Sequence, residues 1–336
     1  QVRSYNDSVS WTAEVAAADK AIEGVTQAIQ TLFDDVRGGK GLQIAKLKQS
    51  VSPLVSSIER NPDACIWLAR LKNQDSYIYK HSIATSVWAV AFGRELGLPP
   101  QDLKSLALGA MLLDIGKLEV PKELLNKKGE INTEEIKILR SHVKHSLNAL
   151  NRSASQNTDV WNMVAHHHER ISGRGYPGRL RGEDIPLFAQ MAGIVDSYDA
   201  MTSDRPYKAA MSPSLAIKYL YKRRGKDFDE VLIEEFIQAV GLYPAGTFVL
   251  LSNGEVAIVI AEGRTRRLKP QVVILLDANK KPLNEIRLVN LYQISEEKIR
   301  RPIDIIRSVE PSAYNIKNVN LNPRRLAALQ GLAVDA

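Results

Sequence analysis

Half of the six histidines in this chain stand in one step, His166-His167-His168. Glu169 follows, and then the sharp turn Gly173-Arg174-Gly175-Tyr176-Pro177. Neutral imidazole is the commonest protein metal ligand and also trades protons near neutral pH. Consecutive helical positions diverge by about 100°, so three adjacent histidines cannot all face one site. Other polar groups interrupt apolar helical text at isolated points: His81 before Ile83–Val90, Asp114 within Leu106–Lys117, Asp196 after Met191–Val195, and His142 with His145. A carboxylate in such a helix is expensive to bury unless a cation or donor meets it. Taken singly, each residue reads most often as a helix-end carboxylate or a hydrogen-bonded core imidazole. Taken together, they can converge in a helical core, the way bundles build metal sites. Nitrogen and oxygen donors without sulfur suit iron, manganese, zinc or similar divalent ions. Two such ions about 3.5–4 Å apart can hold a hydroxide for in-line attack on a phosphodiester.

The elements that must position these groups are mostly helices. Ile22, Val25, Ile29, Leu32, Phe33 and Val36 recur at three- and four-residue steps, so Trp11 to Val36 is expected as one amphipathic helix stopping at Gly38-Gly39. Its narrow stripe suits a second helix, from this chain or from a partner in a homodimer. A second helix is expected from Leu42 to Ile58, broken near Pro53, and a third after Pro62. Helical text continues to about Val240, with stops at Gly97, Pro121, Lys128-Gly129 and the Gly173 to Pro186 loop. Composition then changes. Thr247–Leu251 and Glu255–Ile260 are β-branched runs around the hairpin signal Asn253-Gly254, and Gln271–Leu276 and Glu285–Leu291 supply further strands. The expected division is 1–74 as linker helices, 75–243 as a helical catalytic domain, 244–293 as a small β module and 294–336 as a tail. A short helix is expected at Asn322–Ala336.

With 336 residues, 44% of them hydrophobic, the chain can bury a sizeable core. No apolar run of about 18 residues appears, so no membrane span is expected. The start at Gln1-Val2-Arg3 reads as a cut through a longer protein, with an upstream domain expected. The single cysteine, Cys65, excludes an internal disulfide and a cysteine-based zinc knot, and the cytoplasm is the expected compartment. A net charge of +7 suits a polyanionic partner such as a nucleotide. The basic residues are scattered, without the aromatic interleaving that stacks bases, so duplex nucleic acid is not expected as a partner.

Several motifs now fall in order: Asp114-Ile115-Gly116-Lys117, His167-His168-Glu169, Gly175-Tyr176-Pro177, and Asp196-Ser197-Tyr198-Asp199-Ala200-Met201-Thr202-Ser203-Asp204-Arg205-Pro206-Tyr207-Lys208. Over about Tyr77 to Val240 the chain resembles the HD-GYP family, metal-dependent phosphodiesterases of bacterial cyclic dinucleotides built on an all-helical HD-domain core. The resemblance implies a mainly α fold, with the long N-terminal helix and the terminal β module as additions. It makes His81, Asp114, His142, His167, His168 and Asp196 metal ligands, with Asp114 bridging two ions. It makes Asp114 and Lys117 catalytic, with Lys117 touching the scissile phosphate or its activated water. It also places Lys117, Arg205 and Lys208 on the substrate phosphates. The implied cofactor is one or two divalent ions, iron or manganese favoured, with zinc, nickel and magnesium as alternatives. Gly173, Gly175, Tyr176 and Pro177 would form the loop linked in the family to diguanylate cyclase contact.

Two departures stand out. Leu113 occupies the position where the family has the histidine of its HD pair, and leucine offers no lone pair. Ser172 replaces the usual aspartate before the turn, where an effect on loop order rather than chemistry is expected. The function expected is therefore hydrolysis of cyclic di-GMP, or alternatively cyclic GMP-AMP, to the linear dinucleotide, slowed by Leu113. The alternative is a catalytically impaired cyclic-dinucleotide receptor that signals through protein contacts.

Overall fold

Ser10 starts the first helix, its hydroxyl accepting the Ala13 amide at 3.3 Å, and α1 runs Trp11–Arg37 before Gly38 ends it. The computed structural model describes residues 3–71, 77–153, 157–205, 209–262, 268–296, 302–314 and 316. Val15, Ile22, Val25, Ile29, Leu32 and Phe33 of α1 are buried, and α1 packs on α2 (Ile44–Arg60) and α3 (Pro62–Leu71). The apolar stripe is thus covered by the protein's own helices.

The break expected at Pro53 does not occur, and α2 is continuous through it. Proline forfeits one backbone bond and costs about 3 kcal/mol in a helix interior. Pro53 and Gln49, whose carbonyl loses its partner, both face solvent, where water can replace that bond. Leu47, Val51, Leu54, Val55 and Ile58 are buried on the opposite side. At roughly 1.5–3 kcal/mol for each large aliphatic side chain, their burial outweighs the loss.

The site is carried by the helices that follow: α4 (Tyr77–Glu95), α5 (Pro100–Leu112), a 3-10 turn at Ile115–Glu119, α6 (Lys122–Leu125), α7 (Thr133–Arg140), α8 (His142–Asn151), α9 (Thr158–His166), α10 (Leu187–Thr202), α11 (Pro213–Arg223) and α12 (Glu230–Val240). From His81 to Arg94 every residue of α4 is buried. It is the central rod, packed by α2, α3, α5, α10 and α12. A helix that is apolar all round belongs in such a position.

The chain ends in an antiparallel sheet of β1 (Phe248–Leu251), β2 (Val256–Ala261), β3 (Gln271–Leu276), β4 (Pro282–Asn290) and, after α13 (Leu291–Glu296), β5 (Ile305–Ser308). Strand order is β4-β3-β2-β1-β5. Successive side chains on a strand point to opposite faces. Accordingly Val256, Ile258, Ile260, Val273 and Leu275 join the helical core, while Val249, Ala257, Val259, Val272 and Ile274 build a smaller core with Leu291. β5 lies within the stretch expected as tail. It is four residues long and pairs with β1 more than fifty positions earlier, so local text carries no sign of it. The helix expected at 322–336 lies outside the described residues. The sheet is tied to α3: Arg70 Nη1 donates to Thr247 Oγ1 at 2.8 Å and to the Ala245 carbonyl at 3.1 Å, and Asp63 accepts the Glu262 amide at 2.9 Å.

Candidate metal centre

Where α5 ends, Asp114 leaves the helical conformation (φ −107°, ψ 10°) and the chain tightens into the 3-10 turn. Gly116 lets α8 lie directly on that turn: a Cβ there would strike the His142 carbonyl and stand 2.5 Å from the Ser146 amide nitrogen. The Gly116 amide donates to Ser146 Oγ at 2.8 Å, and that hydroxyl donates to the Leu113 carbonyl at 3.1 Å. His142, the first residue of α8, is thereby held with Nε2 3.3 Å from Asp114 Oδ1.

A second close approach brings in the histidine step. Gly193 of α10 lies against the His167 carbonyl, 2.6 Å from where a Cβ would stand. Asp196, one turn further along α10, is thus set beside the end of α9. His168 Nδ1 lies 4.0 Å from Asp196 Oδ2, and His168 Nε2 lies 3.2 Å from His142 Nε2. On the far side His81 of α4 has Nε2 3.0 Å from Asp196 Oδ1 and 3.4 Å from Asp114 Oδ2.

Two ligand groups result. Asp114, His142, His167 and His168 offer donor atoms that all lie within 4.8 Å of one another, and so do His81, Asp114 and Asp196. Asp114 belongs to both. The donor chemistry fits a cation. His142 Nδ1 donates to the Leu139 carbonyl at 2.6 Å, and His167 Nδ1 faces the Met163 and Val164 carbonyls at 3.2 and 3.1 Å. Carbonyls only accept, so both rings carry their proton on Nδ1 and keep Nε2 unprotonated, its lone pair available to a cation, the usual outer support of a metal-bound imidazole. His167 Nε2 and Asp114 Oδ1 are buried with no hydrogen-bond partner among the described residues. Orphaned groups of this kind are costly in a core, and a cation between them would satisfy both.

Electrostatics agree. Burial pushes His167 down to about 4 and lowers His142, and it drives His168 well below the usual imidazole range with help from His167. All three are neutral near pH 7, the form that binds metal. His81 goes the other way. Burial opposes its proton, but Tyr77 and hydrogen bonds to Asp114, Asp196 and Asp199 raise it well above the ordinary value. Burial alone would raise Asp114, yet the Lys117 ammonium and the His81 hydrogen bond hold it well below the carboxylate range. Asp196 is lowered in the same way, chiefly by His81. Lys117 Nζ hydrogen-bonds to Asp114 Oδ2.

Among the other expected residues, Arg205 lies just beyond α10 with its guanidinium 5.4 Å over the Tyr77 ring, and Lys208 lies outside the described residues. His145 pairs with Glu119 at 2.8 Å, and His166 sits against Trp161, so neither joins the cluster. Leu113 is buried in the apolar core and contributes only its carbonyl. The Gly173–Pro177 turn is reached through Tyr176, whose ring stacks on His168 at 4.6 Å. Ser172 Oγ is buried without a hydrogen-bond partner among the described residues, while the Ser172 backbone bridges to Arg181.

Two residues absent from the sequence-derived set support the cluster. Asp199 Oδ2 accepts from His81 Nδ1 at 2.6 Å, turning Nε2 toward Asp114 and Asp196. Its signal was the three-residue spacing from Asp196, which puts both acids on one helix face. Glu169 is buried and accepts the Gly178 and Leu180 amides at 2.5 and 3.0 Å, fastening the turn to the histidine step.

Comparison with known proteins is consistent with this architecture. Residues 63–232 match the model of the HD domain, and residues 248–308 match the KOW domain associated with HD domain. The chain is 34% identical over 310 residues to the cyclic di-GMP phosphodiesterase PA4108 of Pseudomonas aeruginosa, covering 92% of this chain and 73% of that protein. It is 32% identical over 143 residues to 3'3'-cGAMP-specific phosphodiesterase 2 of Vibrio cholerae, covering 42% of this chain and 27% of that one. Among solved structures, the HDG"Y"P protein Bd1817 from Bdellovibrio bacteriovorus superposes with a TM-score of 0.54 at 20% identity, covering 65% of this chain and 70% of that chain, a likeness of fold. The helical core, its shared aspartate between two imidazole-bearing groups and the matched sequence together place this chain in the HD-GYP branch of the HD-domain family.

Proposed function

We propose that this chain is a metal-dependent phosphodiesterase that hydrolyses a bacterial cyclic dinucleotide to the linear dinucleotide. One observation carries the reading: Asp114 stands in two ligand groups at once, the arrangement needed to hold two cations side by side. The match to PA4108 over most of this chain favours cyclic di-GMP, and the cyclic GMP-AMP relatives make that nucleotide the second substrate to test. Bound ions would supply Lewis acidity toward phosphate oxygen and a water acidic enough to attack at neutral pH.

The chain's own residues do the rest. Asp114, His142, His167 and His168 would hold one ion; His81, Asp114 and Asp196 would hold the other. Asp199 orients His81, and Nδ1 hydrogen bonds orient His142 and His167. Lys117 keeps its proton, because Asp114 and Asp196 outweigh the burial that opposes it, so it presents a cation to the phosphate entering beside Asp114. Arg205 and Lys208 are the remaining phosphate clamps in this reading. Hydrolysis consumes one water, breaks one P–O3′ bond and leaves a 5′-phosphate and a 3′-hydroxyl on the opened ring.

Imidazole and carboxylate donors without thiolate suit iron, manganese, zinc or similar ions, and the family likeness favours iron or manganese among them. Leu113 makes the centre unequal. The group of three imidazoles and one carboxylate is complete, whereas the His81 group has three donors and a leucine where a fourth would come. Weaker binding of that second ion would slow turnover. The same observation supports the second reading, a receptor that binds nucleotide without cleaving it. Cys65 as the lone, buried thiol accords with a cytoplasmic setting. A diguanylate cyclase contact would use the exposed Arg174 and Pro177 edge of the turn, and a homodimer through α1 would use its polar face.

Purified protein loaded with manganese or iron is expected to release linear dinucleotide, and Leu113→His is expected to raise the rate. Tight nucleotide binding without product at any metal loading would instead establish the receptor.

A further inference from the structure

Tyr77 is the first residue of α4 and stands four positions before His81, so the two side chains share a helix face. The Tyr77 ring stacks on the His81 ring with centroids 5.5 Å apart and planes 15° from parallel. The Arg205 guanidinium lies over the same phenol ring at 5.4 Å. Tyr77 therefore joins a residue of the metal cluster to a cation beyond α10. Its hydroxyl is buried and has no hydrogen-bond partner among the described residues.

A buried phenol without a partner is unusual, because Tyr hydroxyls in protein interiors normally find one. Helix geometry, stacking and packing all hold this ring in place, so the unmet group is built in. A phenol is protonated near neutral pH, so the group is a donor that waits for an acceptor. The Arg205 guanidinium over the ring suits an anionic acceptor.

We infer that the Tyr77 hydroxyl is a catalytic hydrogen-bond donor to a non-bridging oxygen of the phosphate under attack, beside Arg205. The inference rests on the phosphodiesterase reading for the identity of the phosphate, but not for the presence of an anion-binding donor. The phenol loses no proton in this role. Its hydrogen bond strengthens as negative charge builds on the phosphoryl oxygens, so the effect falls on the transition state more than on the bound substrate.

The test is Tyr77→Phe in the metal-loaded protein, which retains the ring and removes only the hydroxyl. Metal content should match the parent, and the metal-free variant should melt at or above the parent temperature, because an unpaired buried hydroxyl has been removed. The affinity for inorganic phosphate, measured by calorimetry, should weaken at least about tenfold, and kcat should fall about 100-fold with KM changed much less. Unchanged phosphate affinity and unchanged kcat would overturn the inference. So would a loss of activity accompanied by a lower melting temperature and lost metal, which would mark a structural role. If the parent cleaves no cyclic dinucleotide yet the phosphate affinities differ as stated, the donor stands and the substrate reading falls.

Discussion

A single methyl group on α10 should open the metal centre. Gly193 has no room for one, since a Cβ would stand 2.6 Å from the His167 carbonyl oxygen and 3.3 Å from Arg170 Nη1. Ordinary contact begins at 3.4 Å, so Gly193→Ala must drive α10 and the histidine step apart by about 0.8 Å. Asp196 rides on α10, whereas His167 and His168 ride on the end of α9. The displacement therefore falls between the two ligand groups. Metal–ligand distances tolerate only about 0.2 Å, so a shift several times larger should weaken metal binding at least about tenfold. Overpacking costs about 1–3 kcal/mol, offset by up to about 1 kcal/mol from replacing a helical glycine. The net loss of roughly 0–3 kcal/mol would lower the melting temperature by about 2–4 °C for each kcal/mol. The assay is metal titration with elemental analysis, run beside thermal melts with and without manganese. A variant that binds the same number of ions at parental affinity, and gains as much stability from them, would refute the close approach as the source of ligand alignment.

Asp199→Asn should leave the fold intact but weaken the ion held by His81 about 10–100-fold, because the ring loses its carboxylate support; an unchanged titration would remove Asp199 from the site. His81 has a raised value in the metal-free protein, so its share of metal-free stability is complete below the unfolded imidazole value and is lost as pH rises through the folded one. A metal must displace that proton, and the apparent affinity of the His81 group should therefore rise about tenfold per pH unit and level off once His81 is deprotonated; a flat profile in calorimetry would contradict this. Cys65, fully buried and pushed up to about 12 by burial, should resist thiol reagents at pH 8 until the protein is unfolded, and prompt labelling of the native protein would show that the α2–α3 core opens.

Much of this could be read from the text because the helices are long and the polar residues sparse. Isolated acids and imidazoles in apolar runs marked His81, Asp114, His142 and Asp196 as groups needing partners, and the structure brings them within hydrogen-bonding or metal-ligand reach of one another. Adjacent histidines could not share one direction, and indeed His166 turns away to Trp161 while His167 and His168 turn inward. What stayed hidden depended on distant contacts. The continuity of α2 through Pro53 depends on which side of the helix faces water. The pairing of β5 with β1 depends on a register that no local pattern sets. Asp199 looked like one more acid on a helix until the position of His81, over a hundred residues away, gave it a partner. Gly116 and Gly193 read as ordinary small residues, although they decide how closely the backbones approach.

The double membership of Asp114 limits how the centre can be taken apart. Any replacement of that carboxylate would strike both ligand groups together, so it could never show which of them a given activity requires. Separate questions need unshared side chains: His167 reports on one occupant and His81 on the other. If two ions bind as proposed, Leu113 would be a dissection already made by nature, one that thins a single half of the pair and leaves its neighbour whole.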